Sequence, residues 1–163
     1  MRFAYADPPY FKMGKRLYGE FHDEAAKWDS QEAHLELIGK LIDEYDGFAY
    51  SSNPKDLHWI LSAYPELRVC AWVKTFHQIR PTTVQYAWEI VLLNGGRKDN
   101  KRKPMVRDWF QGNATRKKGL PGAKSLEFNT WILQLLNYQK GDTLDDLFPG
   151  TNGMAEAIER FQQ

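Results

Sequence analysis

Two short stretches hold the residue types that could do chemistry. The first, "YADPPYF" over residues 5–11, sets a carboxylate (Asp7), two imino acids (Pro8 and Pro9) and an aromatic ring (Tyr10) directly after a short apolar run. Neither proline can donate to a β-ladder, so the pair ends a strand and stiffens the backbone around the acid. The second, "DLFPGTNG" over residues 146–153, has the composition of a strand end, a small-residue turn and a helix start. Gly150 and Gly153 let a ligand approach the backbone, and the unpaired N–H groups of a helix start suit a negative group such as a carboxylate. Each stretch also has a plain structural reading. Asp7 would serve as a turn or helix cap, and strand–glycine–helix joints occur throughout α/β proteins.

Composition narrows what these stretches can belong to. The chain has 163 residues, 42% hydrophobic and 14% aromatic, which predicts a packed globular domain spanning 1–163 rather than a disordered chain. Six Trp and eight Tyr serve mostly as packing, with stacking against a flat ligand as the sharper use. The single Cys70, in "RVCAWVK", excludes an internal disulfide and reads as inert strand packing. His22, His34, His58 and His77 show no ligand spacing, so no metal is expected. No apolar run approaches the ~20 residues needed to span a bilayer, and the early charges at the N-terminus do not fit a signal peptide. A soluble, cytoplasmic protein is the expectation.

Net charge is +1, yet the segment Arg97–Lys124 carries +8 against −7 for the rest. Its basic residues are Arg97, Lys98, Lys101, Arg102, Lys103, Arg107, Arg116, Lys117, Lys118 and Lys124. Such asymmetry suits binding to a polyanion, or a solvated loop.

The flanking elements must place these residues. "RFAYA" predicts a strand, and a polar segment without clear period runs from Lys12 to Trp28. "WDSQEAHLELIGKLIDEY" predicts a helix capped by Asp29 or Ser30, with Leu35, Ile38, Leu41, Ile42 and Tyr45 on one face and Gly47 as its stop. "FAYSS" predicts a strand, and Asn53–Pro54 start a second helix ending before Pro65. Strand, helix, strand, helix is the order of a parallel sheet wrapped by helices. "RVCAWVKTF" and "QYAWEIVLLNGG" leave no room for a crossover helix and should pair antiparallel. A long basic excursion covers about 97–123. "SLEFNTWILQLLNYQ" predicts a helix capped by Ser125, with Phe128, Trp131, Ile132, Leu135 and Leu136 as its apolar face. "GDTLDDLF" predicts a last strand and "MAEAIERF" a last helix. The expected fold is a single α/β domain with a mixed sheet, parallel strands plus an antiparallel hairpin. In open sheets of this kind ligands lie beyond the carboxyl ends of the strands, where both chemical stretches fall.

"DPPY" early and a "DxFxGxxG"-like loop late resemble the permuted S-adenosylmethionine-dependent adenine-N6 DNA methyltransferases, a Rossmann-like family. "WVKTF", "YAWEIVLLNGGRK", "VRDW", "KKGLPGAK" and "GDTLDDLFPG" are similar to its short phage-type members. The resemblance implies methyl transfer from S-adenosyl-L-methionine to the adenine amino group of DNA. Asp7 and the Pro8 carbonyl, held by Pro9, would accept the two amino hydrogens, and Tyr10 would stack on the extruded base. Asp146, Phe148, Pro149, Gly150, Thr151, Asn152 and Gly153 would hold the methionine end of the cofactor, and Lys124 would line its pocket, with Phe11 packing nearby. The basic excursion occupies the position of target recognition: its Lys and Arg would neutralise phosphates, and Trp109 with Phe110 would wedge or stack. Three features depart from the family pattern. Ser125 follows Lys124 where proline is common; Asn152 stands at a usual glycine; and a further strand, whose acid binds the cofactor ribose, is not expected here. A homodimer completing the pocket, an RNA substrate, and a non-catalytic nucleic-acid-binding relative remain open alternatives.

Overall fold

The computed structural model describes residues 1–20, 23–75, 79–98, 105–113 and 123–162. One six-stranded sheet runs through it in the order β5-β3-β4-β2-β1-β6. Its strands are β1 (Arg2–Ala6), β2 (Gly47–Ser52), β3 (Arg68–Val73), β4 (Trp88–Gly95), β5 (Trp109–Gln111) and β6 (Thr143–Asp146). The helices are α1 (Gly14–Tyr18), α2 (Gln31–Glu44), α3 (Leu57–Ala63), α4 (Leu126–Leu135) and α5 (Gly153–Gln162), with 3₁₀ turns at Asp23–Asp29 and Pro54–Asp56.

The sheet is mixed, as expected, but its antiparallel strand is internal. β4 pairs antiparallel with β3 on one side and with β2 on the other, whereas β1–β2, β1–β6 and β3–β5 are parallel. Five strands therefore end at one rim, and β4 begins there.

Period-two alternation sorts the side chains to two cores. Phe3, Tyr5, Cys70, Trp72 and Val91 face α4 and α5, packing on Phe128, Trp131, Ile132 and Met154. Ala4, Ala6, Phe48, Tyr50, Ile90 and Leu92 face α2 and α3, packing on Ile38, Leu41 and Ile60. Cys70 is buried, which pushes its thiol up to about 11, as inert packing requires.

Local caps act where the sequence puts them. Ser30, Asn53 and Ser125 accept from the N–H groups of Ala33, Lys55 and Phe128. Other details differ. α2 ends at Glu44, and Gly47 opens β2 instead of stopping the helix. α2 buries Ala33, His34, Ile38 and Leu41, whereas Leu35 is only half-buried; His34 goes inside because its ring nitrogens find partners in Tyr50 Oη and the Trp28 carbonyl. The segment without visible period folds as α1 and a 3₁₀ turn. The basic excursion contains β5, whose Phe110 stacks on Trp131 at 5.7 Å.

Far from the carboxyl rim, Asp142 ties the ends of three elements together. It accepts from the Met1 ammonium (2.8 Å), from Arg97 Nη2 (2.6 and 2.8 Å) and from the Gln139 N–H (2.8 Å). Burial pushes its carboxyl up, but these donors outweigh it and hold the pKa at about 2 instead of 3.8. A depressed folded pKa contributes stability above the unfolded value and loses it as pH falls through the folded value. Asp142→Asn should therefore cost about 2 kcal/mol at neutral pH, a fall of roughly 4–8 °C in melting temperature. The penalty should shrink as pH falls from ~4 to ~2, which thermal melts across that range would read.

Candidate active site

β1 and β6 are parallel neighbours with Tyr5 opposite Asp146, so the loops after them leave the sheet side by side. The Leu147 N–H donates to the Tyr5 carbonyl at 3.0 Å and closes that junction. "DPPY" and "LFPGTNG" thus share one rim although about 140 residues separate them.

In the first loop, Asp7 Oδ2 meets the Lys124 ammonium at 3.0 Å, while no donor among the described residues meets Oδ1. No donor among the described residues meets the Pro8 carbonyl either. Asp7 Oδ1, half-buried, and the carbonyl of the buried Pro8 are thus two acceptors, one charged and one neutral, that no donor among the described residues meets. Burial raises the Asp7 pKa above the ordinary carboxylate value, with Lys124 pulling the other way. The rise follows from its position over the core, where a charge loses hydration.

Tyr10 is not a free stacking plate. Its hydroxyl donates a short hydrogen bond to Glu89 Oε2 and sits 3.4 Å from Lys124 Nζ. Glu89 also receives a close ion pair from Lys74 and lies 3.7 Å from Lys124. Burial works against its charge, but Lys124, Lys74 and Tyr10 hold its pKa below the usual value. Both ammonium groups lie over the Trp72 ring, at 4.7 and 5.1 Å. Glu89 is the functional candidate missed in the sequence, and a signal for it was present. In "WEIVLL" it shares the α4-facing parity of Val91 and Leu93, so an acid there needs charged partners.

In the second loop, Gly150 and Asn152 both adopt left-handed backbone, φ 47° and 58°. Asparagine is the residue besides glycine that tolerates this region best. The turn therefore forms with Asn152 in place of the usual glycine, closed by the Asn152 N–H on the Pro149 carbonyl at 2.7 Å. Asp146 accepts from the Phe148 N–H at 3.2 Å, and burial raises its pKa, with the Asp7 charge adding to it. Thr151 is half-buried and Pro149 exposed.

Beneath the turn, a Cβ on Gly153 would meet Asn129 Nδ2 at 2.8 Å. Asn129 is only 3% exposed, and its side chain has no hydrogen-bond partner among the described residues. A buried amide left open beside a glycine turn fits a polar ligand seated there.

The other candidates are spread out. Lys124, just before the cap of α4, meets Asp7. Phe11 packs edge-on against Trp59 at 5.8 Å, and Phe148 against Trp28 at 5.1 Å. Arg97, at the end of β4, is held by Asp142 at the opposite rim. Lys98 is exposed. Arg107 lies 5.4 Å over Trp109, which is exposed at the start of β5. Phe110 faces Phe128 and Trp131 and cannot serve as a wedge. Lys101, Arg102, Lys103, Arg116, Lys117, Lys118, His22 and His77 lie outside the described residues. Among the described residues no cluster of His, Cys, Asp and Glu could hold a metal ion, and no helix is long and apolar enough to cross a membrane.

No family model matches the chain, and no curated protein matches it. Solved structures do. M1.HpyAVI in complex with SAM is similar over 98% of this chain and 78% of its own, with TM-score 0.60 and 15% identity. M1.HpyAVI without that designation is similar over 99% and 76%, with TM-score 0.59 and 15% identity. The chain has the α/β mixed-sheet fold of M1.HpyAVI.

Proposed function

We propose that this protein transfers a methyl group from S-adenosyl-L-methionine to the amino nitrogen of adenine in DNA. The observation that carries the reading is the shared rim: two open acceptors at Asp7 and Pro8 beside a glycine turn with an open buried amide beneath it. The fold of M1.HpyAVI, solved with SAM, supports the choice of cofactor.

S-adenosyl-L-methionine supplies an electrophilic methyl group when bound. The loop Asp146–Gly153 and the Asn129 amide would hold its polar end, with Gly153 leaving the space. An adenine amino nitrogen is a poor nucleophile because its lone pair is delocalised into the ring. Asp7 Oδ1 and the Pro8 carbonyl would each accept one amino hydrogen, which favours a pyramidal nitrogen and aims its lone pair outward. Pro9 fixes the carbonyl through its locked φ. Lys124 holds the other Asp7 oxygen and so sets the carboxylate's rotation. After transfer, the Asp7 carboxylate takes the excess proton from nitrogen. The gain is positional and electrostatic, with no metal required. Tyr10, tethered through its hydroxyl to Glu89, offers the ring beside which the extruded base would lie.

The cofactor part is tested by replacing Asn129 with Leu. Removing an unsatisfied buried amide should raise the melting temperature of the ligand-free protein, by about 1–2 kcal/mol of stability. The same change should weaken S-adenosylhomocysteine binding by roughly tenfold in calorimetric titration. Opposite signs are the diagnostic. Wild-type protein that takes up no S-adenosylhomocysteine and moves no labelled methyl into DNA would end the reading.

A further inference from the structure

The β3–β4 hairpin leaves the same rim as Asp7 and carries an unusual tip. Val73 and Trp88 are register partners, and the Lys74 N–H donates to the Ala87 carbonyl at 2.8 Å, so the two strands stay paired up to the rim. Thr75 Oγ1 donates to Asn113 Oδ1 at 2.7 Å and anchors the base of the hairpin.

The tip satisfies its own polar groups while displaying its apolar ones. Gln85 Oε1 accepts from the Arg80 N–H at 2.9 Å, and its amide donates to the carbonyls of Arg80, at 3.0 Å, and of Thr82. Thr82 Oγ1 donates to the Val84 carbonyl at 2.8 Å. Ile79 and Val84 nevertheless stand 85% and 81% exposed, and Tyr86 49%. The braced turn thus holds aliphatic side chains in water that its own hydrogen bonds do not require to be there.

Charge selects the cover. Residues 79–88 contain no carboxylate and include Arg80. Lys55 lies 4.6 Å over the Tyr86 ring. Apolar side chains flanked by cations match the chemistry of an opened base step, apolar between the bases and anionic at its phosphates.

We propose that Ile79, Val84 and Tyr86 form a wedge that enters the stack of duplex DNA beside the target base and holds the gap open. The inference rests on DNA being the substrate of the adjoining site. It gives that site a way to reach a base that is inaccessible inside a duplex.

The test is the double variant Ile79→Ser/Val84→Ser, which changes two exposed side chains and none at the rim. The probes are a randomised duplex pool and the same pool as single strands. Wild-type protein should bind the duplex and raise the permanganate reactivity of its thymines, a mark of unstacking. The variant should bind duplex roughly tenfold more weakly without that reactivity, while single-strand and S-adenosylhomocysteine affinities stay unchanged. The wedge is overturned if wild type does not bind or unstack duplex, or if the variant loses nothing. Equal loss on both DNA forms, or changed sedimentation at constant DNA affinity, overturns it too, the last pointing to a protein partner. Duplex unstacking without any methyl transfer would sink the methyl-transfer reading and leave the wedge standing.

Discussion

An Asp7→Ala protein is expected to lose methyl transfer to DNA by about a hundred- to a thousandfold, the scale seen when one preorganised polar group is taken from a transition state. The loss should fall on kcat more than on KM, because in the proposed mechanism Asp7 would act on the reacting nitrogen in the transition state. The fold should persist. Ionised Asp7 is held against its own desolvation, and Lys124 keeps Glu89 as a second anion at 3.7 Å once Asp7 is gone. The pH profile supplies an independent check. Burial raises the Asp7 pKa, so the acid limb of kcat/KM should lie above the ordinary carboxylate range. Lys124→Met should move that limb higher still, since the ammonium is what pulls the Asp7 pKa down. An Asp7→Ala enzyme that keeps its rate would remove the mechanism proposed for this site.

Glu89→Ala should be the most damaging single change to the rim's stability. Glu89 is largely buried and neutralises Lys74 while holding Tyr10 and contacting Lys124. Removing one partner of such a group leaves the other charge stranded at a poorly hydrated place. The expected cost is about 3 kcal/mol, or a fall of roughly 6–12 °C in melting temperature. Combining it with Lys74→Met should recover part of the loss, because the stranded ammonium is then gone too. Tyr10→Phe should leave the melting temperature less affected while loosening the ring. If Glu89→Ala melts like the wild type, the cluster is a solvated set of surface charges and does not position Tyr10.

The mechanics of the Asp142 clasp separate fold from function. Arg97 looks, by residue type, like one more cation of the basic segment. The structure gives it to Asp142 at the far rim, with the Met1 ammonium on the same carboxylate. Its loss would therefore be felt in stability rather than in phosphate contacts, whereas changes at Ile79 and Val84 should be felt in duplex binding rather than in stability.

Much of this protein was legible in its sequence, because much of it is decided within a few residues of chain. The prolines after Ala6 end β1; Ser30, Asn53 and Ser125 cap their helices; alternation along "FAY" and "EIVLL" sends successive side chains to opposite cores. Asn152 takes the left-handed conformation its side chain tolerates. Even the meeting of "DPPY" with the glycine turn followed from one rule, that parallel strands end at a common rim. What only the tertiary structure decided is which distant groups meet. Tyr10 and Glu89 are 79 positions apart, and Lys124 and Tyr10 are 114 apart. No local preference encodes such pairs; they arise because β4 inserts between β3 and β2 and brings its first acid to the rim. Charge behaves likewise, since hydration leaves a lysine or arginine indifferent to its partner until burial forces the choice. Burial fixed Lys124 on Asp7 and Arg97 on Asp142, and left Ile79 and Val84 in water.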